Sequence, residues 1–350
     1  MKTIRFALIA AAIISLISCK QEWNEPILPE QQGMLVLHNG NWGSNDASVS
    51  IYDPDTRTVS GEAFFAANSM HLGDLGQDIA AVGDDIYIAV NGSKVIFVTD
   101  RNLRLKATVE AEVNDSKLSP RCFAHAGGKV YVTYYEGWLG EIDPATYAVR
   151  VTAVGPNPDG LAFAGGKLYV ANSGGYLPTF NNTVSVVDVA SFKEVATIEV
   201  NDNPAAVVAS SNGKYVYVSS LGNYADSAPM LQVIDVASSK VSDCAYGEVS
   251  GIAMGGEGYL IVACGGYDEN WTISATLWKH DANANIKAGR LTETAVSPFY
   301  SISADSKSGD VFVGTSNYTT NGDIYWFGAD GTLLDKFDTQ GLNPLKVLKL

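Results

Sequence analysis

The sequence predicts an all-β fold: a seven-bladed β-propeller of four-stranded antiparallel blades, its ring closed by the C-terminal strand in the first blade. Three observations predict it. An aspartate that ends a β-rich run and opens a turn recurs at Asp53, Asp100, Asp143, Asp188, Asp235 and Asp281, and a seventh copy, WFGADGTLL, holds Gly328 in register with its aspartate two places later. The intervals run from 43 to 47 residues, the length of one four-stranded blade. Upstream of each turn lies a run rich in β-branched and aromatic residues, such as DIYIAV, KVYVTY, KLYVAN, YVYVSS, YLIVAC or DVFVGT. Between repeats come proline-marked turns: KLSPRC, GPNPDG, NDNPAA, AVSPFY and GLNPLK. A catalytic residue has no reason to occur six times, so the aspartates read as turn formers whose carboxylate accepts a backbone N–H two residues on.

From the N-terminus, Lys2 and Arg5 give a basic start and Phe6 to Ser18 an apolar run too short to span a bilayer, so residues 1–18 read as a secretory signal. Leu16-Ile17-Ser18-Cys19 resembles a bacterial lipobox, in which Cys19 becomes the lipid-modified first residue. Residues 19–33 then form a lipidated tether, and the polar, acidic stretch from Lys20 to Pro26 is similar to the tethers that send Bacteroidota lipoproteins to the outer face of the outer membrane. The propeller is expected over residues 34–350. MLVLHNG, from Met34, matches the second strand of a blade, and NPLKVLKL at the end of the chain matches an innermost one. Leu345 to Leu350 is therefore expected to complete the first blade and remove the open edges of the ring. Blades two to seven follow in order, each reading as four strands. No window shows sustained helical spacing, and no change of composition after Met34 marks a second domain.

Charge and cysteines narrow the function classes. The chain of 350 residues carries a net charge of −15, and losing Lys2 and Arg5 would make it two units more negative. Such a surface repels nucleic acid and anionic lipid. Past Cys19, the remaining cysteines are Cys122, Cys244 and Cys264; no metal-binding spacing links them, and a Cys244–Cys264 disulfide stays open. The histidines are His38, His71, His125 and His280. His125 lies in an innermost strand, RCFAHAGG, where a buried histidine is expected, and His38 with His71 would give two metal ligands without a third. No G-x-S-x-G elbow or zincin motif appears. No enzyme activity and no cofactor are expected; a lactonase-like, metal-dependent hydrolase is the minority alternative.

The long loops carry the remaining chemistry. In a blade with strands A to D running outward, the B–C loop and the D–A connection emerge on one face. Six of the seven B–C loops carry aromatics: Trp42; Tyr134, Tyr135 and Trp138 in YYEGWLG; Tyr176 and Phe180; Tyr224; Tyr267 and Trp271; and Tyr318. Amides accompany them, at Asn41, Asn91, Asn172, Asn223, Asn270 and Asn317, with Asn68, His71, Asn114, Asn157, Asn203 and Asn343 in the D–A connections. The opposite turns, such as AGGK, SNGK, DPAT and VASS, are short and nearly free of aromatics. Aromatics give large flat contacts at low entropic cost, and asparagines give uncharged donors and acceptors. That mixture suits a large, polar, mostly uncharged small molecule, with Asn41, Trp42, Asn91, Tyr134, Tyr135, Trp138, Tyr176, Phe180, Tyr224, Tyr267, Trp271 and Tyr318 as the expected contacts.

GPNPDGLAFAGGKLYVANSGG followed by NNTVSVVDVASFKEVATIEV resembles the YVTN-type propeller repeat, and LHNGNWGSNDASVSIYDPDTRTV is similar to the opening of Bacteroidota surface propellers of the BtuG cobalamin-capturing family. His38-Asn39-Gly40-Asn41 departs from that family's usual Asn-Glu-Gly-Asn. The resemblance implies a lipid-anchored, cell-surface protein of the outer membrane that binds cobalamin or a related corrinoid and passes it to a TonB-dependent outer-membrane receptor, with no nucleic acid partner. A glycan would suit the same loops, and a purely scaffolding propeller is the remaining alternative.

Overall fold

A computed structural model describes residues 33–350; the signal, Cys19 and nearly all of the tether lie outside the described residues. The chain forms seven four-stranded antiparallel sheets in a ring. Blade 1 is built from both ends of the described chain, with Pro344–Lys349 innermost and Met34–His38, Ser48–Asp53 and Thr58–Ser60 outside it. The closing strand pairs Lys349 with Met34, Leu348 with Leu35 and Val347 with Val36. The expected ring closure is present.

Blades 2 to 7 begin with innermost strands Gly76–Val82, Pro120–Ala126, Pro158–Ala164, Pro204–Ala209, Val249–Met254 and Phe299–Ala304, each followed outward by its next three strands in chain order. Every one of these six strands shifts register just after its first pair, as between Pro158 and Leu161, so the ladder bends at the same place in each blade.

Side chains alternate across a strand, so each sheet presents one apolar set to each neighbour. Leu35 and Leu37 pack with Val49, Ile79 and Ile88 between blades 1 and 2. Their neighbours Met34 and Val36 face the other way and pack with Phe312 and Ile324 of blade 7. Equivalent apolar seams join blades 2 and 3, 3 and 4, 4 and 5, 5 and 6, and 6 and 7. The core is therefore a set of radial seams, which suits a chain with a repeated pattern.

The repeated aspartates act as turn formers. Asp53 accepts from the N–H of Asp55 at 2.8 Å, Asp143 from Ala145 at 2.9 Å, Asp188 from Ser191 at 2.8 Å and Asp235 from Ser238 at 2.8 Å. Their carboxyls lie below the ordinary aspartate range; a side-chain hydrogen bond is the largest cause in each, from Thr56, Lys129, Ser191 and Ser238, with the backbone donors adding to it.

Three features differ from the sequence expectation. A six-residue helix, Ala63–Asn68, follows the short outer strand of blade 1, where Ala63 and Phe64 fill the space beside blade 2. A small hairpin, Glu112–Val113 with Ser116–Lys117, lies between blades 2 and 3. His125 is exposed rather than buried, because the channel-facing side of an innermost strand meets solvent. Cys122, Cys244 and Cys264 are free thiols, and burial raises the pKa of all three.

Candidate functional site

The long-loop face carries a chain of aromatic contacts around the ring. Tyr135 meets Tyr176 edge-on at 4.7 Å, Phe180 meets Tyr224 at 5.8 Å, Tyr267 meets Trp271 at 5.7 Å and Tyr318 meets Tyr300 at 5.8 Å. Blade 1 joins the series through Asn41, whose Nδ2 donates to the Tyr318 carbonyl at 3.0 Å beside the exposed Trp42. The short-turn face differs: its aromatics fold inward, Phe192 being buried beneath Arg150 and the Tyr147 hydroxyl donating to Asp85 at 2.9 Å.

A cleft of about 980 Å³ opens among the loops of blades 5, 6 and 7. Tyr224, Tyr267, Trp271 and Tyr318 wall it, with exposures from 56% for Tyr267 to 76% for Trp271. Ser250, Phe299 and Tyr300 bring its inner edge to the innermost strands of blades 6 and 7.

The inner strands differ around the ring. On the other side, charged braces tie blades together: Lys346 to Asp78 at 2.6 Å between blades 1 and 2, the Phe123 N–H to Asp78 at 2.8 Å between blades 2 and 3, and Arg121 to Asp159 at 3.1 and 2.5 Å between blades 3 and 4. The position that carries Arg121 and Asp159, one residue past the first ladder pair, carries Ala205, Ser250 and Tyr300 in blades 5 to 7. Ala205 and Ser250 are small there, and the larger Tyr300 itself lines the inner edge of the cleft.

The loops themselves hold the aromatics in place. Asn223 Oδ1 accepts the N–H groups of Ala225, Asp226 and Ser227 at 2.9–3.1 Å, and Asn317 Oδ1 accepts those of Thr319 and Thr320 at 3.0 and 2.9 Å. Asp268 does the same for Asn270 at 2.8 Å and Thr272 at 2.9 Å. Within these turns Tyr224, Trp271 and Tyr318 sit at φ values of 57°, 58° and 62°. Large aromatics rarely adopt that left-handed conformation; Tyr147 and Phe192 of the short turns share it, at 57° and 51°, so it belongs to the tight turns of both faces. Burial, with Tyr267 next in effect, raises the hydroxyl pKa of both Tyr224 and Tyr318. These phenols are neutral at pH 7 and act as hydrogen-bonding groups.

The other expected contacts divide. Tyr176 is exposed, Phe180 and Tyr135 are half-buried, and Asn41 is half-buried beneath Trp42. Three residues are corrected. Tyr134 ends its strand pointing into the seam between blades 2 and 3, and Trp138 opens the next strand paired with it and packs against the same seam. Asn91 is buried, its Nδ2 donating to the Pro120 carbonyl at 3.1 Å. Asn172, Asn203 and Asn343 are also buried, so they brace loops rather than line the face, and Asn68 holds the helix to the Leu103 carbonyl of a short turn.

Sequence reasoning missed Tyr300 and Glu248. Tyr300 sits on an innermost strand, and its hydroxyl donates to Asn39 Oδ1 at 3.1 Å. Glu248 lies where blade 6 lacks the proline mark of its neighbours; the repeat register, with Glu248 in the place of Asn157 and Asn203, was the signal that could have found it. His38 is buried and does not join His71, which stacks on Phe65 at 4.5 Å. Among the described residues no group of three or more His, Cys, Asp or Glu side chains is arranged to hold a metal ion.

The fold and this cleft define the class: a seven-bladed β-propeller with an aromatic-walled depression on its long-loop face. No protein-family model matches the chain, and no curated protein matches it. Solved structures do. The RRP9 WD40 repeats match at a TM-score of 0.55 with 15% identity, covering 75% of this chain and 79% of that one. A computationally designed protein, Ika8, matches at 0.56 with 15% identity over 91% of both chains. Kuenenia stuttgartiensis hydrazine synthase matches at 0.54 with 18% identity, covering 71% of this chain and 74% of that one. At these identities the likeness concerns the fold alone.

Proposed function

We propose that this protein is a lipid-anchored cell-surface receptor that binds a large polar small molecule in the cleft of blades 5 to 7, cobalamin or a related corrinoid, and hands it to a TonB-dependent outer-membrane transporter. The observation that carries the reading is the cleft itself: about 980 Å³, walled by four exposed aromatics. That volume lies at the upper end of the usual range for small-molecule sites. A corrin plane would lie against Tyr267 and Trp271, and its amide arms would meet the phenols and Asn270. The reaction is binding and release, with no bond made or broken.

The corrinoid, the anchor at Cys19 and the transporter rest on the sequence resemblance described above. The test is direct. Purified protein mixed with cyanocobalamin and passed through a desalting column elutes coloured, and Trp271→Ala elutes with less colour at equal folding. A colourless wild-type protein refutes the corrinoid reading, and retention on immobilised glycans would replace it.

A further inference from the structure

Six D–A connections share one backbone contact on the long-loop face. The carbonyls of Leu75, Ser119, Asn157, Asn203, Glu248 and Asn343 accept the N–H groups of Asn91, Tyr135, Ser173, Leu221, Gly265 and Asn39 at 2.8–3.1 Å. The same structural place is therefore leucine in blade 2, serine in blade 3, asparagine in blades 4, 5 and 1, and a charged residue, glutamate, in blade 6. Asn157 and Asn343 donate across their junctions, to the carbonyls of Tyr135 at 3.0 Å and Gly40 at 2.8 Å. A carboxylate cannot donate in that way. Glu248 instead turns outward, exposed, and lies along Gly266, where any side chain would collide with it. It lines the cleft, and with Asp226 it forms part of the ridge shared with a neighbouring hollow of about 700 Å³. No lysine or arginine is among the residues lining the cleft.

We infer that Glu248 sets the charge selectivity of the cleft: it accepts hydrogen bonds from N–H or ammonium groups of the ligand, so the site takes neutral or cationic donors on an aromatic body and rejects anions. This rests on the cleft being the binding site, and it narrows the ligand class whether or not that ligand is a corrinoid. The aromatic walls favour the same sign, since the ring faces attract cations. An anion would meet both carboxylates with no cation in the lining to offset them.

The test uses two probes that share an indole and differ in charge, tryptamine and indole-3-propionate, followed by saturation-transfer NMR on the purified protein at pH 7. Tryptamine is expected to bind about tenfold more tightly. Glu248→Gln should weaken tryptamine about fivefold and reduce the preference to about twofold, with an unchanged melting curve, while Trp271→Ala weakens both probes. Equal binding of the two probes, a preference that survives Glu248→Gln, or no transfer to either probe overturns the inference. Cyanocobalamin and its monocarboxylate hydrolysis product form a second arm. Failure of both corrinoids to bind while the indole preference holds removes the corrinoid reading alone; equal corrinoid binding removes the charge selectivity alone.

Discussion

His38 makes the ring closure sensitive to acid. It is the last residue of Met34–His38, opposite Ser48 on one side and Pro344 of the closing strand on the other. The side chain is fully buried, Nδ1 lies 3.1 Å from Ser48 Oγ, and Nε2 has no hydrogen-bond partner. Burial lowers its pKa from 6.5 to about 4, against the raising effects of Ser48 and Asp338. The unfolded chain thus takes up a proton near pH 6.5 that the folded chain refuses until about pH 4. Stability from neutral His38 is fully present above pH 6.5 and falls as pH drops, by about 1.4 kcal/mol per unit, reaching ~3 kcal/mol near pH 4. Between pH 6.5 and 5, above the main carboxylate range, the loss is ~2 kcal/mol, or about 4 °C in melting temperature for a chain of this size. The assay is thermal unfolding against pH for the wild type and His38→Leu. The variant's absolute stability at pH 7 is immaterial; what matters is slope, and its curve should be flatter by about 4 °C over that window. Parallel curves, or a His38 ring that titrates near 6.5 by NMR, refute the argument.

Three further outcomes are expected. Trp271→Ala removes a ring that a planar ligand would cover over ~90 Å², so corrinoid binding measured by absorbance titration should fall ~30-fold, about 2 kcal/mol, with the melting temperature unchanged. Arg121→Met leaves Asp159 without its partner in a largely buried position and should cost about 2 kcal/mol in chemical denaturation, much of it recovered in the Arg121→Met, Asp159→Leu double variant. Val347→Asp places a charge in the seam between blades 7 and 1 and should cost at least about 3 kcal/mol, read as a lower, broader thermal transition.

The ring was legible because its grammar is local and repeated. Each Asx turn at Asp53, Asp143, Asp188 and Asp235 needs only its own residues, so spacing alone counted the blades. The second-strand character of MLVLH similarly announced a missing inner partner. The loops were harder, because one residue of offset reverses a side chain at a strand end. Tyr134 and Tyr135 are neighbours, yet the first fills a seam and the second meets Tyr176 on the surface. Asparagines misled for a related reason: those next to loop backbone close turns, as Asn223 and Asn317 do, before any ligand can use them. The location of the cleft was not legible because its lining comes from loops of three blades, Tyr224, Tyr267, Trp271 and Tyr318, which only the folded ring brings together.

The walls of the cleft come from three successive wedges, and each wedge meets its neighbours mainly through one apolar seam. An occupant touching Tyr224, Trp271 and Tyr318 would therefore span two joints at once, like a keystone laid over adjoining stones. Binding at a hundred times the dissociation constant would add ~2.7 kcal/mol to the folded state. That gain would resist shear along the arc it spans, so cargo would stiffen the joints between blades 5, 6 and 7.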